Sequence, residues 1–187
     1  MSYYNDNKNM QGYVKMADGY DGREWIADLR NYLPDGSTVL ELGMGPGTDY
    51  EILSQHFQVT GSDYVDSFLD RYRAINPAAD LLKLDAVTLE TERQFDAIYS
   101  NKVLYHLSKD DLRKSYARQA ELLNVGGIAY HTLWYGDDTS ENHGLLFINY
   151  TEQTILEMFG TEFEIVKIET GEEMEPDDSL IVVLRKK

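Results

Sequence analysis

The stretch VLELGMGPGTD, residues 39–49, constrains the fold of this chain more than any other. A strand-length run of apolar residues with one acid, Glu41, stops at three glycines on every second position, and a helical pattern follows at once. A strand that passes through a glycine turn into a helix presents backbone N–H groups at a helix N-terminus, where small residues let a ligand approach. Such turns serve several ligands, so the spacing matters. The dinucleotide fingerprint asks for glycine where Thr48 stands, and a P-loop asks for Gly-Lys-Ser/Thr. Pro46 also removes an N–H that a pyrophosphate would use. The turn suits a ligand without phosphates.

Strands and helices alternate along the rest of the chain. Trp25, Ile26, Leu29, Tyr32 and Leu33 recur at helical spacing until Pro34 with Asp35-Gly36. The first strand is expected over 38–42, a helix over 49–57, a second strand over 58–62 and a helix over 65–75. Strands at 81–84 and 95–99 precede a helix capped by Ser108 that stops at Gly126-Gly127. A fifth strand at 128–134 leads through a loop rich in Gly, Asp and Ser to a helix between Thr151 and Gly160. The final runs FEIVKIET and SLIVVLRKK are separated only by an acidic turn. This order implies an α/β fold with a doubly wound, mostly parallel sheet and helices on both faces. The last two strands must form an antiparallel hairpin, because a parallel pair needs a crossover of roughly a dozen residues or more. At 187 residues the chain is expected to be one domain over 1–187, with 1–36 forming an N-terminal cap segment and first helix.

The formal charge is −16, from 33 acidic and 17 basic residues, which repels phosphate backbones and anionic lipid. A nucleic-acid partner is therefore not expected. Cysteine is absent, which excludes disulfides, thiolate metal sites and cysteine nucleophiles and fits a cytoplasmic protein. The start MSYYNDNKNMQ lacks the features of a signal peptide, and no apolar run approaches the roughly 18 residues of a membrane span. His56, His106, His131 and His143 are scattered, so no metal is expected.

Two further carboxylates sharpen the ligand. Asp63, at the end of the second strand, can accept both hydroxyls of a ribose, or serve as a turn residue. Asp85-Ala86 follows the strand LLKL, where an acceptor and a neighbouring N–H can read an adenine edge, or merely cap the loop. Together with the glycine turn they stand at the carboxyl ends of three successive strands, where open α/β sheets bind ligands.

With these motifs, FDAIYSN (95–101) and LNVGGI (123–128), the chain resembles the class I S-adenosylmethionine-dependent methyltransferases. The resemblance implies seven strands in order 3-2-1-4-5-7-6, with strand 7 antiparallel. It implies S-adenosyl-L-methionine as cofactor and S-adenosyl-L-homocysteine as product. Carried over by position, Gly43, Gly45 and Gly47 belong to the cofactor turn, which Glu41 ties down, and Met44 lies close to the ligand. Asp63 would bind the ribose and Tyr64 would cover the adenine, whose edge Asp85 and Ala86 read. Ser100 or Asn101 would offer a backbone carbonyl to the amino group.

Methyl transfer from a sulfonium is an in-line displacement, so alignment matters most and a base is needed only for a protonated nucleophile. His106, just after strand four, is the candidate catalytic base or substrate contact, or a packing histidine. Tyr13, Tyr20, Trp134, Tyr135 and His143 are candidate walls of an acceptor pocket, though aromatics at strand ends also serve as packing. The near-absence of insertions points to a small-molecule acceptor, with a protein acceptor left open. A non-catalytic cofactor-binding sensor or docking module is the alternative from another class. Aminopropyl transfer is disfavoured because residues 100–107 lack an acid, and a nicotinamide oxidoreductase by the glycine spacing. The accepting atom and the oligomeric state stay open.

Overall fold

The structure, a computed structural model, describes residues 6–17 and 19–187. In chain order the elements are α1 (Asn7–Met16), α2 (Arg23–Leu29), β1 (Thr38–Leu42), α3 (Thr48–Leu53), β2 (Gln58–Asp63), α4 (Asp66–Ile75), β3 (Leu81–Lys83) and β4 (Phe95–Asn101). They continue with α5 (Lys109–Leu122), β5 (Leu123–Trp134), β6 (Thr139–Asn142), β7 (Leu145–Ile148), α6 (Glu152–Ile155), β8 (Phe163–Gly171) and β9 (Ser179–Lys186). A seven-stranded sheet runs in the order β3-β2-β1-β4-β5-β9-β8. The pairings from β3 through β5 are parallel, and β9 lies antiparallel to both β5 and β8. Because β6 and β7 form a sheet of their own, β9 is the seventh strand of the main sheet, and the order is the one expected.

Alternation along each strand divides the core between two faces. Leu40, Leu42 and Ile98 pack with Leu112, Tyr116 and Ala120 of α5. Val39, Ala97, Tyr99 and Tyr130 pack on the other face with Ile26, Leu29, Tyr50, Leu53 and Leu69 of α2, α3 and α4. Truncating a fully buried Leu40 to alanine would cost about 2–5 kcal/mol. Both faces of β1 are covered, which explains why Val39, Leu40 and Leu42 are apolar without alternation and why Glu41 is buried among them.

Four local expectations need correction. The polar start contains a helix, α1, capped by the Asp6 carboxylate on the Lys8 and Asn9 N–H groups. Its apolar stripe is only Met10, Tyr13 and Val14, which meet Val65 and Phe68, too few to stand out among polar neighbours. The loop expected between β5 and the next helix holds the β6–β7 hairpin. Its two-residue turn is His143-Gly144, with φ of 51° and 76°, the conformation a tight hairpin requires. Gly126-Gly127 lies inside β5 at a register irregularity opposite Phe95 and Ala97, so α5 ends earlier than expected. A Cβ at Gly127 would sit 2.8 Å from the Asn124 carbonyl, which explains the glycine as a bulge residue. Finally, α2, α3 and α6 are shorter than their apolar patterns suggested, the last a single turn secured by a Thr151–Thr154 capping box.

Candidate cofactor site

The three glycines of the turn have positive φ, at 65°, 49° and 92°, but different surroundings. A Cβ at Gly43 would lie 2.7 Å from the Val103 methyls, and one at Gly47 would lie 2.4 Å from the Tyr72 ring. A Cβ at Gly45 would meet only Tyr13 Cε1, at 3.6 Å. Gly45 is thus the glycine that faces open space, and Gly47 is kept small by packing rather than by a ligand. Met44 likewise buries its side chain in the core, although it borders the cleft.

The turn is held by the Met44 N–H on the Ser62 carbonyl (2.8 Å) and the Gly45 N–H on Asp63 Oδ2 (2.9 Å). Asp63 Oδ1 accepts the Val65 N–H at 2.8 Å. An ionised carboxylate has about four lone-pair sites, so Asp63 keeps acceptors for hydroxyls. Burial raises its pKa, and these N–H bonds offset part of the rise. Glu41 was expected to tie down this turn; Asp63 does so instead, being the carboxylate within reach of the N–H. Glu41 is 3% exposed and its Oε2 has no hydrogen-bond partner. Burial, then the charges of Asp49 and Asp63, push its carboxyl well above the usual range. A buried, unpartnered carboxylate oxygen at a cleft fits a ligand that brings a positive charge.

The cleft is about 120 Å³ and is bordered by Tyr13, Tyr20 and Asp21, by Glu41 and the turn, and by Asp49, Asn101, Lys102 and Glu173. Beside it a recess of about 630 Å³ shares Tyr20, Asp21 and Glu173. Nucleoside-sized ligands need about 300–1,000 Å³, more than the cleft alone encloses and within the range of the cleft and recess together. Sequence reasoning missed Asp49, which accepts the Gly22 N–H (2.7 Å), the Tyr99 hydroxyl (2.9 Å) and Asn101 Nδ2 (3.1 Å). An acid in the first turn after a glycine motif is the signal that could have found it. It also missed Lys102, an isolated lysine in sequence, which has φ of 52° and a largely buried side chain. Burial holds its ammonium below the ordinary lysine range, partly offset by the charge of Glu173.

On the adenine side, the Leu84 N–H reaches the Asp63 carbonyl at 3.2 Å and joins the ends of β2 and β3. Asp85 is half-buried and accepts the Val87 N–H at 2.7 Å, so it caps its loop while retaining other lone pairs. Tyr64 is exposed beside Asp63, where a base could stack on it. Ala86 is gripped from behind, through its carbonyl, by the Ser115 hydroxyl at 2.6 Å. Ser100 is fully buried and its hydroxyl bonds His131 Nδ1 (2.8 Å), so of the pair 100–101 only Asn101 borders the cleft. His131 Nε2 reaches Gln119 Oε1 (2.8 Å), and Gln119 Nε2 donates to Ser115 Oγ (3.1 Å). Burial drops the His131 pKa to about 3, so the ring is neutral, and the Gln119 oxygen assigns its proton to Nε2.

The acceptor candidates collect at the ends of β4 and β5. His106 donates Nδ1–H to the Leu146 carbonyl (2.7 Å) and packs on Tyr105 and Phe147, with ring centroids 4.0 and 4.8 Å away. Burial lowers its pKa, the Leu146 bond opposing, so it is neutral with a lone pair on Nε2. Its packing role is therefore real, and the ring anchors the β6–β7 hairpin. Trp134 stands edge-on to Tyr105 at 6.5 Å and carries the Lys102 ammonium 3.9 Å above its ring. Tyr135 is partly exposed and bridges to Tyr150. His143 sits exposed at the hairpin tip, away from the cleft walls, because the turn needs it in a left-handed conformation.

Residues 39–127 match the family described as methyltransferase domain. That stretch holds the glycine turn, Asp63 and Asp85-Ala86. The chain is 30% identical over 118 residues to the dTDP-3-amino-3,4,6-trideoxy-alpha-D-glucopyranose N,N-dimethyltransferase of Streptomyces venezuelae, covering 61% of this chain and 50% of that one. It is 30% identical over 113 residues to the tRNA (carboxymethyluridine(34)-5-O)-methyltransferase of Saccharomyces cerevisiae, covering 59% and 40%. The chain thus spans half or less of the curated relatives it matches. Among solved structures, the 1,6-didemethyltoxoflavin-N1-methyltransferase of Burkholderia thailandensis, with its namesake substrate and S-adenosylhomocysteine bound, superposes with a TM-score of 0.78. That match has 21% identity and covers 95% of this chain and 83% of the other. Among the described residues no helix is long and apolar enough to cross a membrane, and no cluster of His, Cys, Asp and Glu could hold a metal ion.

Proposed function

We propose that the chain works as a single domain that transfers a methyl group from S-adenosylmethionine to a small-molecule acceptor. The observation that carries this is the unpartnered, buried Glu41 Oε2 beside the open face of Gly45. That pairing suits a cationic, amino-acid-tailed nucleoside and offers nothing to a pyrophosphate. When bound, the cofactor supplies an electrophilic methyl group. Asp63 and Asp85-Ala86 hold the nucleoside, Glu41 receives the tail's ammonium, and Asn101 closes the floor of the cleft. Catalysis is then chiefly alignment of the acceptor with the methyl group. His106 would take a proton through Nε2 from an acceptor that arrives protonated, with Tyr105, Trp134 and Phe147 walling it from water. Tyr13 and Tyr20 cover the cleft from the N-terminal side.

The charge of −16 supports a small acceptor over RNA, despite the similarity to a tRNA enzyme. The lack of cysteine fits a reducing compartment such as the cytoplasm. The test is incubation with methyl-labelled S-adenosylmethionine and panels of small amines, phenols and thiols, beside bulk tRNA and a peptide library. Label in a small-molecule arm supports the proposal. Label only in tRNA or peptide, or in nothing while the cofactor binds, overturns it in favour of a macromolecular acceptor or a sensor.

A further inference from the structure

Lys102 stands out among the residues that border the cleft. The charged side chains there are Asp21, Glu41, Asp49, Glu173 and this one lysine. A methionine tail carries an ammonium, which suits the acids, and a carboxylate, which they repel. Among the described residues of the cleft, Lys102 is the one cation available to the carboxylate.

Its ammonium is held in an unusual way. Nζ donates to the Leu133 carbonyl (3.0 Å) and the Ser179 hydroxyl (2.7 Å), and lies 3.9 Å above the Trp134 ring. These partners belong to the sheet ends and are fixed. The remaining neighbour is Glu173 Oε2, which forms an ion pair with it at 3.1 Å. Glu173 stands on the turn between β8 and β9, whose backbone is pinned by Asp178 accepting the N–H groups of Glu173, Met174 and Glu175. Its side chain can therefore leave without unravelling the turn. The left-handed backbone of Lys102 aims the side chain here at a conformational cost that ordinary sequence preference would avoid.

We propose that Lys102 binds the carboxylate of the cofactor's amino-acid tail, and that Glu173 is the carboxylate it gives up to do so. One carboxylate replaces another on the same cation, so the buried charge is never left unpaired. Removing one partner from a buried pair is what makes such sites expensive, and the exchange avoids it. The released Glu173 then faces the recess it shares with Tyr20, Asp21 and Arg23. This inference rests on the cofactor reading above.

The test compares two ligands by calorimetry: S-adenosylhomocysteine, which has the tail, and 5′-methylthioadenosine, which lacks it. Lys102→Met is expected to weaken S-adenosylhomocysteine about tenfold or more, as befits a lost charge-assisted contact, and to leave methylthioadenosine within about twofold. Glu173→Gln, which removes the competing charge, is expected to strengthen S-adenosylhomocysteine about threefold or more and leave the other ligand unchanged. Equal losses for both ligands in Lys102→Met would mean a structural anchor and overturn the proposal. So would unchanged S-adenosylhomocysteine binding in that variant, or weaker binding in Glu173→Gln. If Lys102→Met does not fold, the Glu173→Gln titration decides. Wild-type protein that binds neither ligand would instead overturn the cofactor reading.

Discussion

The Ser115 hydroxyl, on α5, donates to the Ala86 carbonyl at 2.6 Å and so ties a helix of the core to the loop after β3. It is the last step of a one-way run of donors, from Ser100 through His131 and Gln119. Each of these four polar side chains is fully buried and matched to its neighbour. Such a network is rigid when every member is satisfied. It ends on the backbone of Ala86, a position expected to contact the cofactor, and begins at Ser100, the neighbour of Asn101 on the cleft.

Ser115→Ala removes the grip on Ala86 without adding volume. The expected result is a loss of about 0.5–1.5 kcal/mol in cofactor affinity, roughly three- to tenfold, read by titration with S-adenosylhomocysteine. Hypoxanthine in place of adenine should then be rejected less strongly than by wild type. Unchanged affinity and base preference would reduce the network to core packing.

Glu41→Gln separates stability from binding. The folded pKa of Glu41 is raised, so the folded chain holds a proton that the unfolded chain releases as pH climbs past the ordinary glutamate range. Its contribution to stability is complete below the unfolded pKa of 4.5 and is lost as pH rises through the folded value. Wild type should therefore lose denaturant stability on this upward limb, and the variant should lose less. Cofactor binding should weaken in the variant, because the carboxylate facing the tail's ammonium is gone. Denaturation midpoints from pH 4 to pH 8, paired with titrations, check both; a variant with an unaltered stability slope would contradict the assignment.

The glycine turn separates the same way. Gly47→Ala places a methyl 2.4 Å from the Tyr72 ring at φ of 92°, and a cost of about 1–3 kcal/mol in stability is expected from overpacking alone. Gly45→Ala meets only the end of Tyr13 and should cost less stability while impeding the ligand. Melting temperatures set beside S-adenosylhomocysteine affinities would distinguish them, and the reverse ranking would show that Gly47, not Gly45, faces the ligand.

These contrasts mark what was legible in the sequence. The alternation of strands and helices, the closing antiparallel hairpin and the carboxyl-end position of the site follow from hydrophobic periodicity, connection length and glycine spacing, all local properties. The full sheet order is what the family resemblance implies. The division of labour among the glycines follows from neither, since Tyr72 and Val103 reach them from elsewhere in the chain. The same holds for Glu41 and Asp63, adjacent acids at the ends of β1 and β2 whose roles depend on which oxygen meets the Gly45 N–H. Lys102 was invisible because its importance lies in a backbone angle and in partners from β5 and β9. Asp49 was hidden because its partners come from residues 22, 99 and 101.

His106→Asn tests proton transfer. The neutral ring has a lowered pKa, so the basic form should persist below pH 6.5 and the acid limb of the rate profile should fall beneath that value. With an acceptor that arrives protonated, the variant is expected to lose about 10²–10⁴-fold in kcat and to lose that limb, with cofactor affinity unchanged. A parallel fall in kcat for acceptors that need no base would assign His106 to anchoring the hairpin at Leu146.

The most direct measurement is a calorimetric titration of the chain with S-adenosylmethionine, S-adenosylhomocysteine and NAD, beside Asp63→Ala, with melting temperatures to confirm that the variant is folded. Both sulfur ligands should bind wild type with micromolar affinity, NAD should not, and folded Asp63→Ala should lose the binding. NAD binding in place of the sulfur ligands, or sulfur-ligand binding untouched by the loss of Asp63, would contradict the pocket described here.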